Sequence, residues 1–102
     1  MSTDRAKPSS ARRHIPLNAV RAFEAAARHM SVARAANELC VTPTAVSHQI
    51  RTLEAYLQVE LFQRSRNGLA LTQAAAGLVR SLTEGLDTLD AAFAQLNRHP
   101  AP

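Results

Sequence analysis

Apolar residues recur along this chain with two different spacings, and the spacing changes where the turn residues fall. Over positions 15–30, IPLNAVRAFEAAARHM, Leu17, Val20, Phe23, Ala27 and Met30 step by three and four, the repeat that gathers side chains on one face of a helix. Asn18 is placed to cap this helix, with Pro16 just outside it. Ser31 restarts the chain as the N-cap of a second helix, VARAANEL, with Ala35, Ala36 and Leu39 on its inner face. The two alanines let another helix come close. Only CVT separates this helix from the next, so the pair must meet at a steep angle. Thr42 caps the third helix, and Pro43 opens it at a position where a missing N–H costs nothing. That helix is expected to run to Leu57. At about 100° per residue, Val46, Ile50, Leu53 and Leu57 share an inner arc, while Thr44, His48, Arg51 and Ala55 point away with Ser47 on their flank. The pattern then shortens to two strand-like runs, 61–65 and 69–72, around Asn67-Gly68. That dipeptide favours a hairpin because both residues tolerate positive φ. From Thr72, a good N-cap, the helical repeat returns: Ala75, Val79, Leu82, Leu86, Leu89, Phe93 and Leu96 alternate steps of four and three, an unbroken a/d heptad. Pro100 and Pro102 end it.

These elements divide the chain. Residues 1–14 are polar, basic and aperiodic, and are expected to form a disordered arm. Residues 15–72 hold three helices and a two-stranded hairpin, the order of a winged helix-turn-helix. Residues 73–98 form a long linker helix, and 99–102 a tail. The fold class is therefore mainly α. Such a stripe can pack on its own head, but its length and strict register favour another chain, so Val79, Leu82, Leu86, Leu89, Phe93 and Leu96 are expected to meet a second copy. A heptad alone leaves parallel and antiparallel pairing open.

Charge turns this architecture toward an anionic partner. Eleven of the twelve Lys/Arg residues are arginine. Residues 1–72 carry ten Lys/Arg against five Asp/Glu, while residues 73–102 carry two against three. A basic head suits nucleic acid. Other chemistry is missing. Cys40 has no partner for an internal disulfide and is expected to be buried as a small apolar residue. No Cys/His cluster suggests a metal, and no cofactor motif is present. Glu54 and Glu60 form no catalytic pair, and no nucleophile stands with a base and an orienting group, so the chain is not read as an enzyme. Arg21 and Arg28 are expected to be solvated. No run approaches about 18 apolar residues, and no signal peptide is visible, so a cytoplasmic, nucleoid-associated protein is the default.

In a helix-turn-helix the second helix of the pair enters the major groove of DNA. Thr, Ser, His and Arg side chains match the donors and acceptors of base edges; Arg51 suits guanine, and Thr44 can meet a thymine methyl group. The N-terminus of the second helix, at Ser31, suits a backbone phosphate. Arg34, Thr42, Thr52 and Arg64 are further candidates for backbone contact, and Arg66 and Asn67 for contact by the wing. A rival reading is a dimeric module that docks another protein. The basic head argues against it, and only DNA binding should weaken steeply with salt.

The stretch FEAAARHMSVARAANELCVTPTAVSHQIRTLEAYLQVELFQRSRNGLALTQAAAGL resembles the N-terminal DNA-binding domain of LysR-type transcriptional regulators. AAxxL, AVSHQIxxLE, LFxR and LT stand in family order and spacing. The opening PLNAVRAFEAAARH is similar to the branch of the glycine-cleavage activator and the β-lactamase regulators. The resemblance covers residues 15 to about 97. It implies a homodimer joined through the fourth helices, usually antiparallel, on an interrupted inverted repeat near a promoter. Carried over by position, the family's base readers fall on Pro43, Thr44, Ser47 and His48. Pro43 stands where the family commonly has Gln and offers no side-chain hydrogen bond. Asn67 stands where the family often has Arg, which would pass the minor-groove role to Arg66. Both departures imply a different operator preference rather than lost binding. The resemblance also implies a further two-lobed domain that binds a small-molecule effector; this sequence is expected to stop at the linker helix and to lack it.

Overall fold

The computed structural model describes residues 14–66 and 68–97. Residues 1–13 of the expected arm, Arg98 at the end of the expected linker helix, the tail over 99–102 and Asn67 lie outside the described residues. Four helices and one hairpin follow in order: α1 (Leu17–His29), α2 (Val32–Leu39), α3 (Pro43–Leu57), β1 (Phe62–Ser65), β2 (Gly68–Leu71) and α4 (Gln73–Asn97). This is the mainly helical winged architecture that the hydrophobic pattern predicts.

The central element is α1. Helices α2, α3 and α4 all pack against it, so Ala19, Val20 and the whole run 22–27 are buried, Phe23 completely. Alanine makes this possible, since a helix of small residues can be approached from several sides at once. A stripe at steps of three and four therefore understates what α1 buries. It also errs at both ends. Leu17 is 52% exposed, and Met30 lies past the last turn in the left-handed region at φ 50°. Asn18 does not cap the helix: α1 begins at Leu17 with Pro16 in the cap position, and no side chain accepts from its first turn. Pro16 fits there because its carbonyl still accepts from the Val20 N–H at 3.0 Å.

Three other caps form as expected. Ser31 Oγ accepts from the Arg34 N–H at 3.0 Å, Thr42 Oγ1 from the Ala45 N–H at 3.1 Å, and Thr72 Oγ1 from the Ala75 N–H at 3.2 Å. Each hydroxyl answers one of the N–H groups a helix leaves unpaired, an arrangement worth about 1 kcal/mol. Thr72 also ties the wing down. Its hydroxyl donates to the Glu60 carbonyl at 2.7 Å, and its N–H donates to the Leu61 carbonyl at 3.0 Å. The α1, α2 and α3 C-caps are Met30, Cys40 and Gln58, non-glycine residues at φ 50°, 60° and 60°. Cys40 is accordingly exposed, not buried, because the left-handed cap carries it off the packed face of α2.

The hairpin is antiparallel, with Phe62 opposite Leu71 and Ser65 opposite Gly68. Gly68, at φ 111°, is thus the first residue of β2, not the second residue of the turn. Two contacts fix the wing to the helices. The Phe62 ring tilts against Phe23 with centroids 5.5 Å apart. Glu54, on α3, accepts the Leu61 N–H at 2.8 Å and the Phe62 N–H at 3.5 Å on one carboxylate oxygen.

Helix α4 divides its heptad stripe. Ala75 is fully buried, and Val79, Leu82 and Leu86 pack partly on the head's own core. Leu89, Phe93 and Leu96 are 43%, 64% and 72% exposed. Leu57, expected in the inner arc of α3, is exposed as well, while Val46, Ile50 and Leu53 are buried.

Candidate nucleic-acid interface

Helix α3 presents a polar face because its apolar arc is taken by the core. Pro43, Thr44, His48, Arg51 and Thr52 are exposed, and Ser47 is half-buried. Pro43 occupies the first helical turn, as read from the sequence. Ser47 is less accessible because it borders a cleft of about 270 Å³ between α3, the start of α2 and the wing. That cleft brings Ser47 and Arg51 of α3 together with Arg64 of β1. It also contains Gln63, which sequence reasoning missed. The LFxR pattern marks Arg64, and the strand alternation gives no reason to single out its neighbour. Thr44 and His48 lie outside the cleft on the outer surface of α3. Arg34 is exposed on α2, and Arg66 in the turn just past β1.

Hydroxyl geometry separates the predicted backbone contacts. Ser31 and Thr42 use a lone pair to cap their helices, which leaves each hydroxyl proton available for an outside acceptor such as a phosphate oxygen. Thr52 does the reverse. Its hydroxyl donates to the His48 carbonyl at 3.1 Å, so it presents only lone pairs outward. A phosphate oxygen, itself an acceptor, would have to displace that bond.

The head also sorts its charges. Arg28, expected to be solvated, is clamped. Its Nε and Nη2 donate to the two oxygens of Glu24, both at 2.9 Å, and its Nη1 and Nη2 donate to Glu38 at 2.9 and 2.8 Å. His29 Nε2 lies 2.7 Å from Glu38. The Arg28 guanidinium holds both carboxyls below their ordinary range, Glu38 at about 2 with help from His29. At Glu24, burial opposes this shift and a bond from Thr83 assists it. Glu24, Glu38 and Glu54 are thus all engaged within the head. Among the described residues, Arg21, Arg34, Arg51, Arg64, Arg66 and Arg80 enter no ion pair, and of these Arg51 and Arg64 line the cleft beside α3. Unpaired arginines around a hydroxyl- and imidazole-bearing helix face can address phosphates and base edges together. The described residues contain no cluster of metal-binding side chains, and no helix among them is long and apolar enough to cross a membrane.

A second surface shares no residue with the α3 cleft. A groove of about 700 Å³ runs between α1 and α4, with Leu17, Leu86, Leu89 and Phe93 along it and Arg21, Asp87 and Asp90 among its charged residues.

Known proteins share this arrangement. The family model "Bacterial regulatory helix-turn-helix protein, lysR family" matches residues 17–76. The transcriptional activator AmpR of Pseudomonas aeruginosa is 54% identical over 78 residues, covering 76% of this chain and 26% of AmpR. The glycine cleavage system transcriptional activator of Escherichia coli is 45% identical over 86 residues, covering 84% of this chain and 28% of that protein. The chain thus spans little more than a quarter of the length of these relatives. Among solved structures, the DNA-binding domain of BenM in complex with the catB site 1 DNA has a TM-score of 0.73 at 26% identity, over 80% of this chain and 92% of that one. A probable transcriptional regulator from Pseudomonas aeruginosa has a TM-score of 0.77 at 33% identity, over 88% of this chain and 30% of that one. The relatives are regulators, not enzymes, and the chain belongs to the LysR family of bacterial regulatory helix-turn-helix proteins, whose DNA-binding domain it carries.

Proposed function

We propose that this chain is a sequence-specific head of a homodimeric transcriptional regulator, acting in the cytoplasm on an interrupted inverted repeat near a promoter. The observation that carries the reading is the pairing of two surfaces. One is the exposed polar face of α3, with Arg51 and Arg64 unpaired in the cleft beside it. The other is the exposed apolar end of α4. Helix α3 enters the major groove, where Thr44, Ser47, His48 and Arg51 meet base edges. Ser31, Thr42, Arg34 and Arg64 hold phosphates, and Arg66 reaches from the wing toward the minor groove. Leu89, Phe93 and Leu96 join two copies, with Leu86 at the junction between the dimer seam and the head's own core. The distance between the two heads then sets the distance between half-sites. No small-molecule effector is assigned to these residues.

Selection of bound duplexes from a random pool tests the reading, and an enriched inverted repeat is expected. Salt dependence gives a second measure. Two arginines at phosphates, Arg34 and Arg64, in each of two heads predict a slope of log affinity against log salt of roughly −4. No enriched sequence, or a flat salt response, would refute the reading and favour a protein partner.

A further inference from the structure

A hydrogen-bonded chain of side chains crosses the head. It begins on α4, where Thr83 Oγ1 donates to Glu24 Oε2 at 2.8 Å, linking residues 59 positions apart. On α1 the same carboxylate binds Arg28 through both of its oxygens. Arg28 continues to Glu38 on α2, the first helix of the helix-turn-helix. Glu24 is 5% exposed and, among the described residues, is the buried charged residue of an otherwise apolar core. An aliphatic side chain there would avoid the desolvation of a carboxylate and would pack as well. Packing alone therefore gives no reason for Glu24.

Direction gives one. The remaining contacts of α4 with the head are largely apolar, through Ala75, Leu78, Val79, Leu82 and Leu86. Such contacts hold the helix down but do not select its tilt or rotation sharply, because hydrophobic attraction has no direction. A hydrogen bond to an ionised carboxylate is directional and strong. Its place on the helix matters too. From Thr83 to the end of α4 at Asn97 the helix extends about 21 Å at 1.5 Å per residue. A tilt of about 10° at Thr83 would displace that end by about 3.6 Å, close to the rise of one base pair. We propose that Glu24 is a positioning residue: by binding Thr83 and Arg28 together, it fixes the angle between the linker helix and the helix-turn-helix, and with it the half-site spacing that the dimer accepts. This inference rests on the homodimer reading above.

The test uses the half-site selected from the random pool. The duplex carries it once, or as inverted repeats whose spacing grows by one base pair at a time. Thr83→Val removes the hydroxyl but leaves the Glu24–Arg28 pair intact, so the head keeps its fold. Glu24→Gln tests the other partner, and Thr83→Ser restores the hydroxyl. Single half-site affinity and the dimer in sedimentation are expected to match the unmodified chain. The preference for the best spacing over its one-base-pair neighbours is expected to fall about threefold or more in Thr83→Val, a modest share of what a charge-assisted bond can contribute, to fall less in Glu24→Gln, whose amide oxygen still accepts from Thr83, and to return in Thr83→Ser. An unchanged preference in Thr83→Val overturns the inference alone. So does an equal loss on the single half-site, which would make the network a support of the head itself. An unmodified chain that is monomeric, or indifferent to spacing, overturns the homodimer reading as well.

Discussion

Replacing Glu54 with alanine is expected to loosen the wing from α3. The Glu54 carboxylate accepts the Leu61 N–H at 2.8 Å and lies 3.5 Å from the Phe62 nitrogen. Leu61 is fully buried, so its N–H has little access to water once the carboxylate is gone. A hydrogen bond to a charged acceptor contributes about 1.5–3 kcal/mol, and an orphaned buried donor is worth a similar amount, so a loss of about 2 kcal/mol is expected. The second bond is long and adds little. For a domain of this size, 2 kcal/mol corresponds to a fall in Tm of about 8–16 °C. Thermal and urea unfolding followed by circular dichroism measure this directly. Glu54→Gln keeps an acceptor oxygen in place and should recover more than half of the loss. A Glu54→Ala protein within about 1 °C of the unmodified Tm would refute the reasoning, since water must then satisfy the Leu61 N–H as well as the carboxylate does. The substitution should also weaken DNA binding, because Arg64 lies on the strand that begins at Phe62.

Four further outcomes follow from the same structure. His48→Ala and Arg51→Ala are each expected to weaken binding to the selected operator by about 1–3 kcal/mol, with a smaller loss on scrambled DNA; equal losses in mobility shifts on both would remove these residues from base readout. Phe93→Asp with Leu96→Asp should give monomers in sedimentation while leaving the head's Tm unchanged, because both residues are exposed and make no part of the core. Gln58→Gly should stabilise the chain by roughly 0.5–1 kcal/mol by relieving a left-handed backbone, net of glycine's own entropy; a fall in Tm would mean that the Gln58 side chain makes a contact of value. Glu38, held at about 2 against an ordinary 4.5, has a depressed folded-state pKa. Its contribution is therefore complete above about pH 4.5 and disappears as the pH falls toward 2. Because the pair is partly exposed, Glu38→Gln should cost no more than about 1 kcal/mol near neutral pH, and the gap from the unmodified protein should close on acidification in urea titrations.

Local chemistry was legible at three of the four predicted caps, Asn18 being the exception. The caps at Ser31, Thr42 and Thr72 and the bounds of α3 follow from hydroxyls and a proline acting within one turn. Residues answering to distant partners were not legible. Arg28 is clamped by a carboxylate ten residues away on another helix, and Glu24 receives a hydroxyl from 59 residues away. No periodicity encodes either pairing. Glu54 belongs to the AVSHQIxxLE pattern, yet its partners are backbone N–H groups, which leave no mark in side-chain identity. Thr44, His48 and Arg51 are exposed, as helical geometry predicts, because the buried arc of α3 leaves only one face for them. Thr52 also reached the surface, but its proton is committed to its own helix. A face calculation gives direction and says nothing of hydrogen-bond supply.

The heptad on α4 shows most clearly what a repeat can and cannot decide. Equal spacing from Ala75 to Leu96 places seven residues on one stripe but does not say what covers them. The head covers the first part, from buried Ala75 to partly buried Leu86, and leaves Leu89, Phe93 and Leu96 in the open. Aspartate at Leu86 would therefore disturb the head's core and the proposed dimer together, and a monomer so obtained would not separate the two. The open half alone can separate them. It adjoins the groove where Leu17, on α1, stands half-exposed beside Leu86, Leu89 and Phe93. A partner helix on that stripe would extend the apolar surface of the head itself. The same helix then serves as part of the head's core at one end and as dimer seam at the other, so any change in the angle between these halves is carried into the separation of the two recognition helices.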